Sequence, residues 1–196
     1  KTVTLADQSQ VTLDADSAIA VDFSHGERHI QLRRGAGFFS VAHTGQAFVV
    51  HADSGEVRVL GTQFEVRLQP AGAQVTVLSG RVGVTPSAQG PQQILTAGQQ
   101  VAYAEGVADE RHAVDSESRL GWRDGWLNYY KTPLADVVKD LGRYYPGRIL
   151  LFNDELGARR VSGSFPSKDP EAVLKALQAV LGFEQHSVLG RLIVVR

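Results

Sequence analysis

Cysteine and methionine are both missing from the 196 residues of this chain. Without cysteine there are no disulfides, no thiolate catalysis and no thiolate metal sites. Without methionine the chain does not begin at a natural start, so Lys1 reads as a cut point inside a longer protein. Long apolar runs are missing too. Nothing approaches the ~20 residues that a membrane helix needs, and there is no signal peptide. Charge of one sign is also lacking: 20 Lys and Arg stand against 21 Asp and Glu, a net of -1. No basic excess directs the chain to nucleic acid, and no acidic run forms a tail.

Several catalytic and ligand signatures are missing as well. No HExxH or GxSxG occurs. Gly35-x-Gly37 lacks the third glycine and following helix of a dinucleotide fingerprint, and reads as a strand-turn device. Asp14 and Asp16 lack the Gly-and-Glu continuation of a calcium loop, and read as turn-capping carboxylates. No carboxylate pair is singled out for glycoside cleavage. The histidines are His25, His29, His43, His51, His112 and His186. His25 and His29 flank a turn rather than share a helix face, so all six read as solvated. The expectation is a non-enzymatic chain with no metal and no cofactor.

What is present is alternation. Over 38–68, Phe48 and Val50 alternate with Val49 and His51. Val57 and Val59 alternate with Arg58, and Phe64, Val66 and Leu68 with Glu65 and Arg67. A period of two puts one face into a core. Gly61-Thr62 interrupts this pattern, as at a bulge or tight bend. Similar short segments run from residue 1 to about 107, separated by turn residues. The pattern predicts an all-β sandwich, roll or solenoid. Residues 109–118 are polar and predict a linker or exposed connection.

The period then changes. Residues 126–130 read as a strand. Thr132-Pro133 predicts a helix start, with Leu134, Val137, Val138, Leu141 and Tyr145 at helical spacing and Pro146-Gly147 as its stop. Strands follow at 149–152 and 160–165. Asp169-Pro170 predicts a second helix carrying Val173, Leu174, Leu177, Val180 and Leu181, ended by Gly182. Strands at 183–186 and 192–195 close the chain. The expected fold is mainly β plus α+β: an elongated all-β domain over 1–115, roll or solenoid-like, then a small two-helix domain over 120–196. Its helices are expected on one side of a small sheet.

These residues resemble the FecR domain of transmembrane anti-sigma regulators. The likeness rests on Asp7-x-Ser9, Val11-x-Leu13, Arg28-x-Ile30-x-Leu32, Phe38-Phe39-x-Val41 and, most specifically, Val59-Leu60-Gly61-Thr62-x-Phe64-x-Val66. Gly80-x-Val82 and Leu95-x-Ala97-Gly98-Gln99 complete it. Gln8 stands where the family usually has glycine, and Ala36 where glutamate is common. Leu127-x-Tyr129, Thr132-Pro133-Leu134, Val161-x-Gly163 and Asp169-Pro170 resemble the STN module of secretins and signalling TonB-dependent transporters. The whole is most similar to FecR/PupR-type ferric-siderophore regulators.

That resemblance implies a periplasmic domain of a single-pass inner-membrane protein, reaching the membrane only through a helix outside this chain. Its implied partners are the periplasmic N-terminal signalling domain of a TonB-dependent outer-membrane transporter and a periplasmic protease. A sigma factor would be met through a cytoplasmic segment that this chain lacks. Trp126, Tyr129, Arg160, Ser162 and Ser164 are the expected partner-binding residues, although Trp126 at a strand start reads foremost as core. The strands over 160–165 and 191–196 are the expected open edges for partner pairing. A secretin-like assembly module and a glycan-binding or hydrolytic surface domain are the rival functions. At Gly61-Thr62, attack of the hydroxyl on the preceding carbonyl would allow self-cleavage. The preferred reading there is a structural bulge whose threonine caps a turn.

Overall fold

The computed structural model describes residues 1–24, 26–188 and 190–196; His25, expected to be solvated, lies outside them. Backbone contacts divide the chain into two compact units, Lys1–Leu120 and Gly121–Arg196.

The first unit begins with β1 (Thr2–Thr4), β2 (Gln10–Leu13), β3 (Ala18–Asp22), β4 (Arg28–Arg34) and β5 (Ala36–Ser40). A hairpin of β6 (Phe48–Ala52) and β7 (Gly55–Val59) follows, then β8 (Gln63–Gln69), β9 (Gly72–Ser79) and β10 (Arg81–Thr85). The unit ends with β11 (Gln93–Thr96), β12 (Gln99–Ala104), β13 (Val107–Ala108), β14 (His112–Ala113) and α1 (Ser116–Arg119).

Among the described residues these strands form two sheets. One has the order β1-β2-β5-β8-β9-β12-β13, with β14 also on β12; the other is β11-β10-β7-β6-β4-β3. Alternation along each strand places one face of both sheets in a common core. From the first sheet come Val11, Phe39, Phe64, Val66, Val75 and Val101, and from the second Ile30, Leu32, Phe48, Val50, Val57 and Val82. Phe39 joins the two, edge to face with Phe48 at 6.1 Å and against Phe64 at 5.2 Å between ring centroids. Truncating such a buried ring costs about 3–5 kcal/mol.

Residues 109–118 form a mostly exposed connection that is tied down rather than free. Ala113 pairs with Gln99, Asp115 caps α1 through Ser118 N, and the Ser116 hydroxyl donates to the Val77 carbonyl at 2.8 Å. A short polar segment can thus dock by backbone and hydroxyl bonds with no apolar signal. Of the bulge or tight bend expected at Gly61-Thr62, the chain makes the bend, and the bulge is corrected. The bend lies between β7 and β8, which belong to different sheets, so here the chain crosses from one sheet to the other.

The second unit opens with a 3-10 turn, Gly121–Asp124. It continues with β15 (Trp126–Pro133), α2 (Leu134–Leu141), β16 (Arg148–Leu151), α3 (Asp154–Gly157) and β17 (Arg160–Pro166). It ends with α4 (Pro170–Leu181), β18 (Gln185–Val188) and β19 (Leu192–Val195). β15 and β17 form one sheet; β16-β19-β18 form another.

The expectation of helices on one side of a single sheet is therefore corrected. α2 buries Leu134, Val137, Val138 and Leu141 and packs against β15 and β17 of one sheet and β16 of the other. The start of α2 is also different. Thr132 and Pro133 stay in the ladder with β17, and the Leu134 N–H donates to the Arg159 carbonyl at 2.8 Å, so no side chain caps the helix. The helix stops at Leu141; Tyr145 is buried beyond it and its hydroxyl donates to the Gly190 carbonyl at 2.9 Å.

α4 starts as its residues predict, with the Asp169 carboxylate accepting from Ala172 N and proline in the first turn. It ends on Gly182 at φ 69, a left-handed conformation that glycine adopts without steric cost. Val180 on this helix lies 82% exposed.

Candidate functional site

The expected partner-binding residues fall on the β15–β17 sheet, and the ladder sorts them. Trp126 pairs with Pro166 and Asn128 with Ser164. Alternation then puts Trp126, Asn128, Arg160, Ser162 and Ser164 on one face and Leu127, Tyr129 and Phe165 on the other. Trp126 is 48% exposed, which corrects the expectation that it is core. Leu127, one residue on, occupies the buried position instead. Tyr129 is turned inward: its hydroxyl donates to Asp140 of α2 at 3.0 Å and its ring lies 5.9 Å from Phe165.

The polar members already have work within the sheet. A register shift follows Tyr129, and Lys131 sits there at φ 49. Its N–H donates to the Ser162 hydroxyl at 2.9 Å, and its carbonyl accepts from Arg160 Nη1 at 3.0 Å. The Ser164 hydroxyl donates to Asn128. The sheet thus presents a half-exposed indole and the 78% exposed Tyr130 on a ladder pinned by polar side chains.

The edge expectation is half corrected. Among the described residues β17 pairs with β15 alone, but β19 lies in the middle of its sheet, so the terminal strand offers no open edge. β16 and β18 are the edges there. Beside β16 an open cleft of about 520 Å³ is lined by Ala135, Val138, Leu150, Leu151 and Gly157. Sequence reasoning missed it. The available signal was the apolar run at 149–152, too continuous for a strand with one solvated face.

The 61–62 junction is held by a buried clasp in the first unit. Arg28 and Asp7 meet at 2.6 Å with side chains only 4% and 9% exposed. The guanidinium also donates to the Ala42 carbonyl at 2.9 Å and lies 5.3 Å from the centre of the Phe48 ring. Asp7 accepts from the Ser9 hydroxyl at 2.6 Å, and that hydroxyl accepts from Ala42 N. Burial pushes the Asp7 carboxyl up, but its bonds from Ser9 and Arg28 outweigh burial and hold it below the usual range.

The clasp fixes the chain after β5 against the crossing. Val41 N donates to the Thr62 carbonyl at 3.0 Å. A Cβ on Gly61 would stand 2.9 Å from Cβ of His43, so only glycine admits this approach. Thr62 is 7% exposed and its hydroxyl is buried without a hydrogen-bond partner. The expectation that it caps a turn is therefore corrected.

The histidines are not uniformly solvated. His29 and His51 are hydrogen-bonded to one another at 3.0 Å. Among the described residues no group of three or more His, Asp or Glu side chains is placed to hold a metal ion. No helix among them is long and apolar enough to cross a membrane.

Fold and site define a two-unit module, a two-sheet β unit followed by an α+β unit with a helix between two small sheets. Residues 1–83 match the family described as FecR protein, and residues 126–195 match FecR, C-terminal. The chain belongs to the FecR family. Two crystal structures of candidate anti-sigma factors from Parabacteroides distasonis ATCC 8503 share its fold throughout. They have TM-scores of 0.85 and 0.83 at 27% and 28% identity, covering 100% of this chain and 93% and 92% of theirs. No curated protein matches it significantly.

Proposed function

We propose that this chain is the periplasmic signalling region of a membrane-anchored anti-sigma regulator. Its second unit, in the role of an STN-like domain, binds the N-terminal signalling domain of a TonB-dependent ferric-siderophore transporter. Docking and undocking alter access for a periplasmic protease and so control release of an extracytoplasmic-function sigma factor, as a shift in population. The observation that carries the reading is the likeness over the whole chain to anti-sigma factors, together with both FecR matches. The exposed Trp126 face suits the docking step, because exposed aromatics are frequent interface anchors.

Calorimetric titration with the signalling domain of the transporter encoded beside it tests this. Saturable one-to-one binding supports it. Self-assembly into rings without such binding would favour a secretin-like role and overturn it.

A second reading concerns the 61–62 bond. Attack of the Thr62 oxygen on the Gly61 carbonyl carbon would break the peptide C–N bond, leaving an ester and a free amine. Water would then cleave the ester. The unpartnered hydroxyl favours this, because no competing hydrogen bond holds it. After prolonged incubation, mass spectrometry should show two fragments meeting between residues 61 and 62. A single species at 21.2 kDa overturns the reading.

A further inference from the structure

The outer face of the β3-β4-β6-β7 sheet carries a cluster that the signalling role does not use. His29 on β4 and His51 on β6 bring Nδ1 and Nε2 to 3.0 Å. Their ring planes lie 9° apart with centroids 5.3 Å apart. The centroid distance exceeds the nitrogen separation by 2.3 Å, about the width of one imidazole ring, so the rings meet edge to edge and not face on face. Two imidazole lone-pair positions therefore point at each other across a gap that one proton now bridges.

The surroundings are those of a metal-ligating histidine. The other nitrogen of His29, Nε2, lies 3.1 Å from the Glu27 carboxylate. A carboxylate on the far nitrogen fixes the ring and its tautomer and raises its basicity as a ligand. Glu27 is itself held by Arg58 at 2.8 Å, and Arg58 by Glu56 at 3.0 Å. Asp22 faces His29 across β3, and Glu56 faces His51 across β7. Three carboxylates stand against one guanidinium, and this surplus of negative charge favours a dication.

We propose that His29 and His51 form a two-imidazole binding site for a borderline transition-metal dication, copper(II) or zinc. The remaining positions would be completed by water. Metal–imidazole bonds of about 2.0–2.1 Å put two neighbouring nitrogens roughly 3 Å apart, so the strands already hold the ligands at a usable separation. The rings have to pivot, with Nε2 of His29 staying on the Glu27 carboxylate as the hinge. His51 passes its proton from Nε2 to Nδ1 through solvent, and both ligands bind as neutral imidazoles with no redox step. The bound ion would staple the parallel strands β4 and β6.

Copper(II) titration of the untagged chain, read by electron paramagnetic resonance and thermal melting, tests the site. The spectrum should show two imidazole nitrogens, and one equivalent should raise the melting temperature. His29→Gln and His51→Gln should each weaken binding about tenfold or more, and Glu27→Gln about tenfold through ring orientation. His112→Gln should change nothing. Both histidines are partly exposed, and melts of the metal-free variants show directly whether they fold. Equal copper binding by wild type and the double histidine variant would overturn the proposal, as would a one-nitrogen spectrum.

Discussion

At the scale of the residue, two positions store small amounts of instability. Gln8 sits at φ 69, in the left-handed region that costs an L-residue about 1–2 kcal/mol. Replacing it with glycine should raise stability by up to ~1 kcal/mol in urea denaturation, because the side chain is exposed and the greater entropy lost by glycine offsets part of the gain. Thr62→Val removes a buried hydroxyl that has no partner and keeps the shape, so it should stabilise by about 1 kcal/mol while abolishing any cleavage at 61–62. The Asp7–Arg28 clasp behaves oppositely. Removing one partner strands a buried charge, and Asp7→Ala should cost about 3–5 kcal/mol. Because the folded Asp7 carboxyl titrates below its unfolded value, its contribution is present above the unfolded pKa of about 4 and is lost as pH falls through the folded one. Stability of the wild type should therefore fall more steeply with acid than that of Asp7→Asn. Asp7, Ser9 and Arg28 were legible as motif letters. That they form one buried clasp was not, because its third side is carbonyl oxygens of the chain after β5, which carry no sequence signal.

At the scale of the element, alternation placed most strands of the first unit and the helical period placed α2 and α4. The errors came where a ladder competed with a cap. Thr132-Pro133 and Asp169-Pro170 look alike as letters, yet only the second caps a helix, because β17 holds Thr132 and Pro133 in a sheet. The two sites should respond differently to the same change. Asp169→Ala should lower stability by about 1 kcal/mol in thermal denaturation, and Thr132→Ala should be close to neutral. β19 was read as an open edge. Its parallel pairing with β16 is long-range, and local pattern cannot reveal that.

At the scale of the molecule, the chain divides into Lys1–Leu120 and Gly121–Arg196, and the amphipathic helical period begins inside the second unit, at α2. The face proposed for the partner was legible in part. Arg160, Ser162 and Ser164 were read on a strand with an open edge and lie exposed, whereas the exposure of Trp126 depends on which parity of β15 faces α2. Truncation of Trp126 to alanine should leave the melting temperature unchanged and weaken transporter-domain binding by about 30-fold, as for an interface hot spot. An unaltered affinity in calorimetry would move the contact to another face.

The crossing at Gly61-Thr62 also determines how the first unit behaves once cut there. Residues before the cut supply β5 and β7; residues after it supply β8 and β10. β5 is laced to β8 in one sheet and β7 to β10 in the other. A nick would leave two pieces stitched along two seams, one in each layer, with the phenylalanine core clamped between them. Such a protein would migrate as one body on a native gel and as two only in denaturant. Freeing one piece from the other would take a pull strong enough to unzip both seams together.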